Sequence, residues 1–366
     1  MSIGLFIRML FAGAVIAAAG CASPGALQQT PLSQDDLDAF LASGRDARSY
    51  GITIYQDAAG PRFEFANRVH QDRAARMDFV SPRNLPVPVI RAKTATAVNL
   101  NLLLDSSARQ NWLLMASVKA MDYRPFEPPM GEYADHIVSE IPGYAGIANK
   151  IILDELHIES PVFYVAPARG GLGPIARAEE LTGDEPLLQA RRALGARTQA
   201  VMGAALMRSF ASIRFDFPQR TVRFSTHATY KPPVPSAVVA NLPLRDWRGR
   251  PAVEGTFAGK PLWLVIDTAG DFELSLPDGP AATTGTLVLG DLTIDEVRAD
   301  SAADLGLPED FPARLGRRLL GRYIITLDHK NQRVWFEDPS LPEADKSATT
   351  MDDEPTAPVQ YRGIKR

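Results

Sequence analysis

The chain contains few of the residues that build disulfides and metal sites. Cys21 is the only cysteine among 366 residues, so the sequence can form no internal disulfide. The five histidines are scattered, without an H-E-x-x-H pattern or any tight spacing, and we therefore expect no metal site and no cofactor. A G-x-S-x-G nucleophile elbow is also missing, which argues against an α/β-hydrolase.

The chain also lacks an excess of charge of one sign. Its net charge is −4, and the charges of both signs are mixed, so there is no basic stripe for a nucleic acid partner. Residues 171–176 imitate a dinucleotide-binding fingerprint, but the surrounding pattern predicts β-hairpins rather than a β-α-β unit. With 45% apolar and 22% charged residues, the composition is that of an ordinary globular protein.

The N-terminal segment predicts export and a lipid anchor. Arg8 precedes an apolar run over residues 9–19, which is too short to span the roughly 30 Å of a bilayer core, and small residues lead directly to Cys21. We expect residues 1–20 to be a bacterial lipoprotein signal peptide and Cys21 to be the site of lipid attachment. The protein would then face the periplasm from the cell envelope, at the outer membrane rather than the inner one.

An internal repeat is the most informative feature of the sequence. Residues 100–107 read LNLLLDSS, and residues 262–269 read LWLVIDTA. In each copy an apolar run ends in an Asp and a small hydroxyl residue, so a buried strand delivers Asp105 or Asp267 to a turn. An isolated Asp at the end of a strand is commonly only a turn former. Its duplication in a matched context predicts a pair of carboxylates.

Two further blocks recur in the same order. Residues 152–158 and 288–294 each predict a hairpin, and residues 210–224 and 323–336 each predict a closing pair of strands. The first copy has about one extra hairpin after its Asp, and the Pro and Gly residues within 141–146 favour its turn. A second insertion, residues 170–199, predicts one or two short helices on the outside of the first lobe.

The segments around the repeats are also predictable. Ser33 followed by acidic residues predicts the start of a short helix that ends at Leu41. Residues 50–55 and 62–65 predict strands of an N-terminal extension that packs on the first lobe. Three prolines after residue 231 indicate a linker between the lobes, and the polar sequence after residue 337 predicts a disordered tail.

With these motifs the chain resembles the pepsin-like and retropepsin-like aspartic proteases, in which an apolar run leads to Asp-Ser/Thr-Gly in each of two lobes. The likeness covers roughly residues 89–337. It implies an all-β, bilobed acid-protease fold, with two retropepsin-like β-barrel lobes and small helical insertions. It also implies that Asp105 and Asp267 are the catalytic carboxyls, which share a proton and activate a water for peptide hydrolysis.

The resemblance implies supporting roles for other residues. The hydroxyls of Ser106 and Thr268 would hydrogen-bond across to the opposing loop and fix its geometry. Trp112 is similar to the Trp that follows the first catalytic Asp of pepsin-like enzymes, and Tyr144 takes the place of the flap Tyr. Taken alone, Trp112 would be core packing and Tyr144 a surface aromatic. Residues 201–203 and 319–321 look like the second conserved loop of each lobe, because each is an apolar pair followed by Gly.

One departure from the family concerns the catalytic loops themselves. Ser107 and Ala269 stand where the family has Gly. Glycine is used where backbones approach closely or where φ is positive, so the two additional Cβ atoms could push the Asp-bearing loops apart.

From these features we expect a membrane-anchored, monomeric aspartic endopeptidase that acts on peptide or protein substrates without a metal or cofactor. The alternative is a catalytically inactive, two-lobed peptide-binding or scaffold lipoprotein. The predicted organisation is a signal peptide (1–20), a lipid tether and N-terminal extension (21–88), an N-terminal lobe with flap and helical insertion (89–226), a linker (227–241), a C-terminal lobe (242–338) and a disordered tail (339–366).

Overall fold

A computed structural model describes residues 30–57, 60–70, 73–127, 133–135, 138–169, 172, 185–227, 229–277, 282–305 and 312–341. The predicted signal peptide, Cys21, and residues 342–366 of the predicted tail lie outside the described residues. Within the part of the chain that the structure describes, no helix is both long enough and apolar enough to cross a membrane.

The secondary structure is dominated by short strands. The strands are β1 Thr30–Pro31, β2 Thr53–Asp57, β3 Gly60–Glu64, β4 Arg68–Val69, β5 Ala74–Asp78, β6 Val89–Thr94, β7 Asn99–Leu104, β8 Trp112–Leu113, β9 Arg124–Pro125, β10 Tyr133–Asp135, β11 Val138–Ile147, β12 Lys150–Leu153, β13 Leu156–Glu159, β14 Val162–Val165, β15 Ala168–Arg169, β16 Ala200–Met202, β17 Ser212–Asp216, β18 Thr221–Ser225, β19 Val238–Pro243, β20 Arg245–Trp247, β21 Arg250–Phe257, β22 Lys260–Ile266, β23 Leu274–Leu276, β24 Ala282–Leu289, β25 Leu292–Ser301, β26 Ala313–Leu315, β27 Ile324–Asp328 and β28 Arg333–Glu337. The α-helices are α1 Gln34–Ala42, α2 Glu185–Arg197, α3 Ala204–Met207 and α4 Arg317–Leu320, and 3₁₀ turns cover Ala47–Tyr50, Met115–Ser117 and Pro235–Ala237.

The strands form two lobes, each with its own sheet. The sheet of lobe 1 runs in the order β10-β11-β14-β8-β16-β7-β6-β12-β13-β4, with β9 paired to β11. The sheet of lobe 2 runs β20-β21-β22-β26-β23-β25-β24, and an additional pairing of β21 with β24 closes six of these strands into a barrel. The predicted bilobed, all-β fold with small helices is therefore confirmed.

A third sheet of six strands joins the two lobes, in the order β19-β28-β27-β17-β18-β5. At its centre β17 of lobe 1 pairs antiparallel with β27 of lobe 2, where Arg214 lies opposite Thr326. Both closing strand pairs predicted from the repeat are found here. Because the repeated segments lie side by side, the sheet has an approximate two-fold relation between its halves.

The hairpins predicted from the repeat are also present. β12 and β13 pair with Leu153 opposite Leu156, and β24 and β25 pair with Leu289 opposite Leu292. The extra hairpin of lobe 1 is formed by β10 and β11, but the prediction of its turn was wrong. Residues 141–146 lie inside β11, since pairing with β10 and β14 outweighs the turn tendency of Pro and Gly.

The N-terminal extension packs on lobe 1, as expected. The side chain of Ser33 caps α1 by accepting from the Asp36 N–H at 3.2 Å. β2 and β3 form a hairpin that places the Phe63 ring 5.8 Å from that of Phe126 and 6.3 Å from that of Tyr164. The extension also contributes β5 to the six-stranded sheet, so it is part of the core fold.

Two predicted segment boundaries are refined by the structure. The predicted linker, 227–241, ends earlier, because β19 begins at Val238 and pairs with β28. The insertion over residues 170–199 contains one described helix, α2. Its Arg191 and Leu194 are buried, so this helix is packed against the body of the protein.

His329 gives the fold a dependence on pH. It lies in the turn between β27 and β28, the residue as a whole is partly exposed, and its Nε2 is buried without a hydrogen-bond partner among the described residues. Burial lowers the pKa of His329 from 6.5 to about 4, and the charge of Arg208 adds to this effect. The unfolded chain therefore takes up a proton on His329 at a higher pH than the folded protein does. The stabilisation that goes with neutral His329 is fully present above pH 6.5 and is lost as the pH falls towards 4.

Wild type should lose unfolding free energy as the pH falls from 6.5 to 4. We predict that His329→Gln loses less over this range, by up to about 3 kcal/mol. Urea unfolding of wild type and variant at several pH values measures the difference. His227→Gln, at an exposed position, is the control and should keep the wild-type pH dependence. A pH dependence in His329→Gln equal to that of wild type would contradict this assignment.

Candidate active site

Each repeated aspartate stands at the end of a central strand. β7 runs into Asp105 and β22 into Asp267, and in both lobes a parallel neighbour, β16 or β26, lies alongside. The N–H of Asp105 donates to Met202 O at 3.0 Å, and the N–H of Asp267 donates to Leu315 O at 2.9 Å. The matching bonds hold the two carboxyls at equivalent positions in the two lobes.

The turn after each aspartate orients the carboxyl group. Asp105 Oδ1 accepts from the N–H groups of Ser107 at 2.9 Å and Ala108 at 3.1 Å, and from the Ser107 hydroxyl at 2.8 Å. Asp267 Oδ1 accepts from the N–H groups two and three residues later, at 3.2 and 2.7 Å. Such donors favour the charged form of a carboxyl.

Four buried hydrogen bonds join the two aspartate loops across the lobes. Ser106 Oγ donates to Ile266 O at 2.6 Å, and Thr268 Oγ1 donates to Leu104 O at 2.8 Å. In return, the Ser106 N–H donates to Thr268 Oγ1 at 3.1 Å and the Thr268 N–H donates to Ser106 Oγ at 3.2 Å. Each loop is thus held by the residues that flank the opposing aspartate.

The replaced glycines do not separate these loops. Neither Ser107 nor Ala269 has a positive φ, so neither needs the conformational freedom of glycine, and the bonds across the lobes are intact. In lobe 2, the position without room for a side chain is instead Gly270. A Cβ there would lie 2.7 Å from Asp267 Oδ2 and 2.5 Å from the ring of Phe272.

The second loop of each lobe is built around a glycine that packs against the aspartate turn. A Cβ on Gly203 would lie 2.2 Å from Gln110 O, and a Cβ on Gly316 would lie 2.2 Å from Phe272 O. The expectation for lobe 1, residues 201–203, agrees with this arrangement. The expectation for lobe 2 was wrong, because residues 319–321 are the end of α4 and its cap, whose apolar residues face the core.

A buried arginine that the sequence did not predict lies beside Asp267. Arg314 is opposite Val265 in the pairing of β26 with β22, the place that Val201 takes opposite Leu103 in lobe 1. Its Nη1 is 3.4 Å from Asp267 Oδ2, and its side chain is 1% exposed. An alignment of the two lobes on Gly203 and Gly316 would have shown Arg314 in the place of Val201. The sequence comparison used residues 319–321 instead, and so it missed this substitution.

More arginines lie around the same loop. Asp271, four residues after Asp267, forms ion pairs with Arg191, Arg317 and Arg318. Burial, together with the charge of Arg318, lowers the pKa of Arg317 from 12.5 to about 10, and the charge of Asp267 opposes this change. Because Arg191 belongs to α2 of lobe 1, its contact with Asp271 ties the helical insertion to lobe 2.

The structure brings Trp112 to the strand that carries Tyr144. The Trp112 ring is fully buried, 5.8 Å from the ring of Tyr164, and a Cβ on Gly143 would lie 2.5 Å from it. Tyr144 is paired with Val165 inside β11 and is only partly exposed. It therefore lies in the body of the sheet, away from the tip of the β10–β11 hairpin.

The two carboxyls are closed to solvent. Asp105 is 0% exposed and Asp267 is 3% exposed. A cavity of about 240 Å³ lies between the β2–β3 hairpin and the two lobes, but neither aspartate lines it. A peptide could reach the pair only after the residues that cover it have moved.

Comparison with known proteins adds little to this geometry. No family model matches the chain, and no curated protein matches it. Among solved structures the chain is similar to the basic 7S globulin from soybean, with 10% sequence identity and a TM-score of 0.44. The match covers 74% of this chain and 95% of that chain.

We predict that the bonds across the lobes stabilise the whole fold. Ser106→Ala and Thr268→Val should each lower the unfolding free energy by about 1–3 kcal/mol, because each leaves two buried backbone groups without their partner. The double variant should deviate from additivity, since the two side chains hold the same pair of loops. Urea unfolding gives all three values.

Thr286→Val is the matched control for these variants. It removes an exposed hydroxyl that donates to Asp295 at 2.8 Å, and the change in stability should stay within about 0.5 kcal/mol. Costs for Ser106→Ala and Thr268→Val no larger than that of this control would show that the loops are held by other contacts.

Proposed function

We propose that the protein is an aspartic endopeptidase in which Asp105 and Asp267 activate a water between the two lobes. The observation that supports this proposal is the reciprocal hydrogen bonding of Ser106 and Thr268. It joins two buried Asp-bearing turns that have matching donors. Burying carboxyl groups is costly, and perturbed, buried titratable groups concentrate at functional sites.

The surroundings of the two carboxyls suggest different roles for them. Both carboxyls accept from the N–H groups of their own turns, and the guanidinium of Arg314 further favours the ionised form of Asp267. We infer that Asp267 is the general base and Asp105 the general acid. Asp267 would take a proton from the water while the water oxygen attacks the carbonyl carbon. Protonated Asp105 would donate a hydrogen bond to the carbonyl oxygen. Asp267 would then give the proton it took from the water to the departing amine as the C–N bond breaks.

The burial of the site requires a movement before substrate can bind. The β10–β11 hairpin and the α2 insertion both belong to lobe 1, and α2 is attached to lobe 2 through Arg191 and Asp271. The return of the covering residues would exclude water around the reacting bond, as lids do in other enzymes.

We propose that the enzyme is a monomer that works at the bacterial envelope. The sequence up to Cys21 supports a lipid anchor at that residue, with the residues before Thr30 as a tether and the body facing the periplasm. Thr30 and Pro31 already pair with β15 of lobe 1. We expect the lipid anchor to be sorted to the outer membrane. Metabolic labelling with a radioactive fatty acid tests this proposal, since Cys21→Ser should abolish incorporation of the label.

A second candidate function is a non-catalytic peptide-binding or scaffold module. The ion pair between Arg314 and Asp267 favours it, because the guanidinium lies at the oxygen that would otherwise contact a water. Three buried arginines could act without any shared proton, because Arg314 would neutralise Asp267 while Arg191 and Arg317 neutralise Asp271. In that case the fold would be retained and peptide hydrolysis lost.

Cleavage of an unstructured reporter protein separates the two candidates. We expect wild type to cleave it, and Asp105→Asn and Asp267→Asn each to lower kcat by at least about 100-fold, since a positioned acid or base contributes about that much. Asp295→Asn, at an exposed carboxyl, is the control and should keep wild-type activity. Circular dichroism confirms that each variant is folded.

Absence of cleavage by folded wild type over a broad pH range, together with no binding of pepstatin-like inhibitors, would favour the peptide-binding module. Cleavage that survives in both Asp-to-Asn variants would instead assign the activity to other residues or to a contaminant.

The role of Arg314 predicts a shift in the pH dependence of activity. A general base is active only when ionised, so kcat/KM falls as the pH drops through the pKa of that base. Removing the guanidinium disfavours ionised Asp267, and Arg314→Val should therefore move the acid limb up by about 1–3 pH units. Arg314→Lys retains the charge and is the control, with an acid limb closer to wild type. An unchanged acid limb in Arg314→Val would exclude this division of roles.

A further inference from the structure

Two histidines that are distant in the sequence meet at the edge of lobe 1. His157 lies in β13, and His70 immediately follows β4, the strand that pairs with β13 at the end of the sheet. The His70 N–H donates to His157 O at 3.3 Å, and the centroids of the two rings are 5.5 Å apart. Strand pairing therefore places two imidazoles side by side.

Glu159 completes the group because it lies two residues after His157 on the same strand. Alternate residues of β13 are buried, namely Leu156 and Ile158, so His157 and Glu159 share the outer face. His70 Nε2 is 3.7 Å from Glu159 Oε1. One ligand atom from each of the three side chains lies within 4.8 Å of the others.

These separations are close to those that a zinc ion requires. Bonds of about 2.0–2.1 Å in tetrahedral geometry place neighbouring ligand atoms about 3.4 Å apart. The distance between His70 and Glu159 is near this value already, and small side-chain rotations would bring in the third ligand. Two imidazoles and a carboxylate form a donor set that suits zinc, with water in the remaining position.

We propose that His70, His157 and Glu159 form a surface site for a divalent transition metal, with zinc as the expected ion. The site lies three strands away from β7 in the sheet order, and the proposal does not depend on the proposed peptidase activity. The exposed fraction of the side chain is 55% for His70 and 30% for Glu159, so an ion can enter directly from solvent.

Lys150 sets the affinity of this site. It lies opposite Glu159 in the pairing of β12 with β13, and its Nζ is 2.9 Å from Glu159 Oε1. The ammonium group neutralises the carboxylate when metal is absent, and an entering cation must displace it. Removing this charge should therefore strengthen zinc binding.

The test is calorimetric titration of the full chain with ZnCl₂, supported by the visible absorption of bound Co²⁺. Wild type should bind one ion at this site. His70→Gln and His157→Gln should each weaken that binding by at least tenfold. Mutating a residue that only hydrogen-bonds to a metal ligand already weakens binding about that much, and these variants remove a ligand itself. Lys150→Met should strengthen it, and His227→Gln, at an exposed His outside the group, should leave it unchanged.

Three results would overturn the proposal. Wild type could bind no zinc in the micromolar range, or His157→Gln could bind it as tightly as wild type does. Binding could also be lost equally in His227→Gln, which would indicate scattered surface histidines. Because the three side chains are at the protein surface, melting curves of the variants without metal should match wild type and show that the fold is retained.

Discussion

The central constraint in this molecule is the mutual hydrogen bonding of Ser106 and Thr268. Each hydroxyl accepts from the backbone of the opposing loop and donates to a carbonyl that precedes the opposing aspartate. Buried polar groups left without partners are costly, so neither loop can move away alone. Two lobes made from one repeated unit are thereby held with Asp105 and Asp267 at their junction, and the six-stranded sheet holds the same lobes together through β17 and β27.

Electrostatics distinguishes the two halves of this otherwise matched site. In lobe 1 the residue at the relevant position of the second loop is Val201, and in lobe 2 it is Arg314. A positive charge beside one carboxyl favours its ionised form, whereas a symmetrical pair without such a charge shares a proton. The asymmetry fits an enzyme in which one carboxyl is the acid and the other the base, and it fits equally a binding module in which Arg314 neutralises Asp267. Activity measurements decide between them.

Much of the fold was predictable because the repeat involves local patterns. Apolar runs that lead to Asp105 and Asp267 become β7 and β22, and the blocks around Leu156 and Leu292 become hairpins. The failures have a common cause. Residues 141–146 look like a turn but are paired on both sides inside β11, and residues 319–321 look like a second loop but end α4. Pairing and packing partners that are remote in sequence decide such segments.

The sequence by itself determined the two-lobed β architecture and the equivalent places of Asp105 and Asp267 at the ends of repeated strands, because strand periodicity and duplication are written in neighbouring residues. Only the tertiary structure decided what surrounds them. It placed Arg314 beside Asp267, brought Arg191 from α2 to Asp271, and joined His70 to His157 across a strand pair. These contacts depend on the register between strands and on the approach of distant segments, and a local pattern of amino acids carries neither.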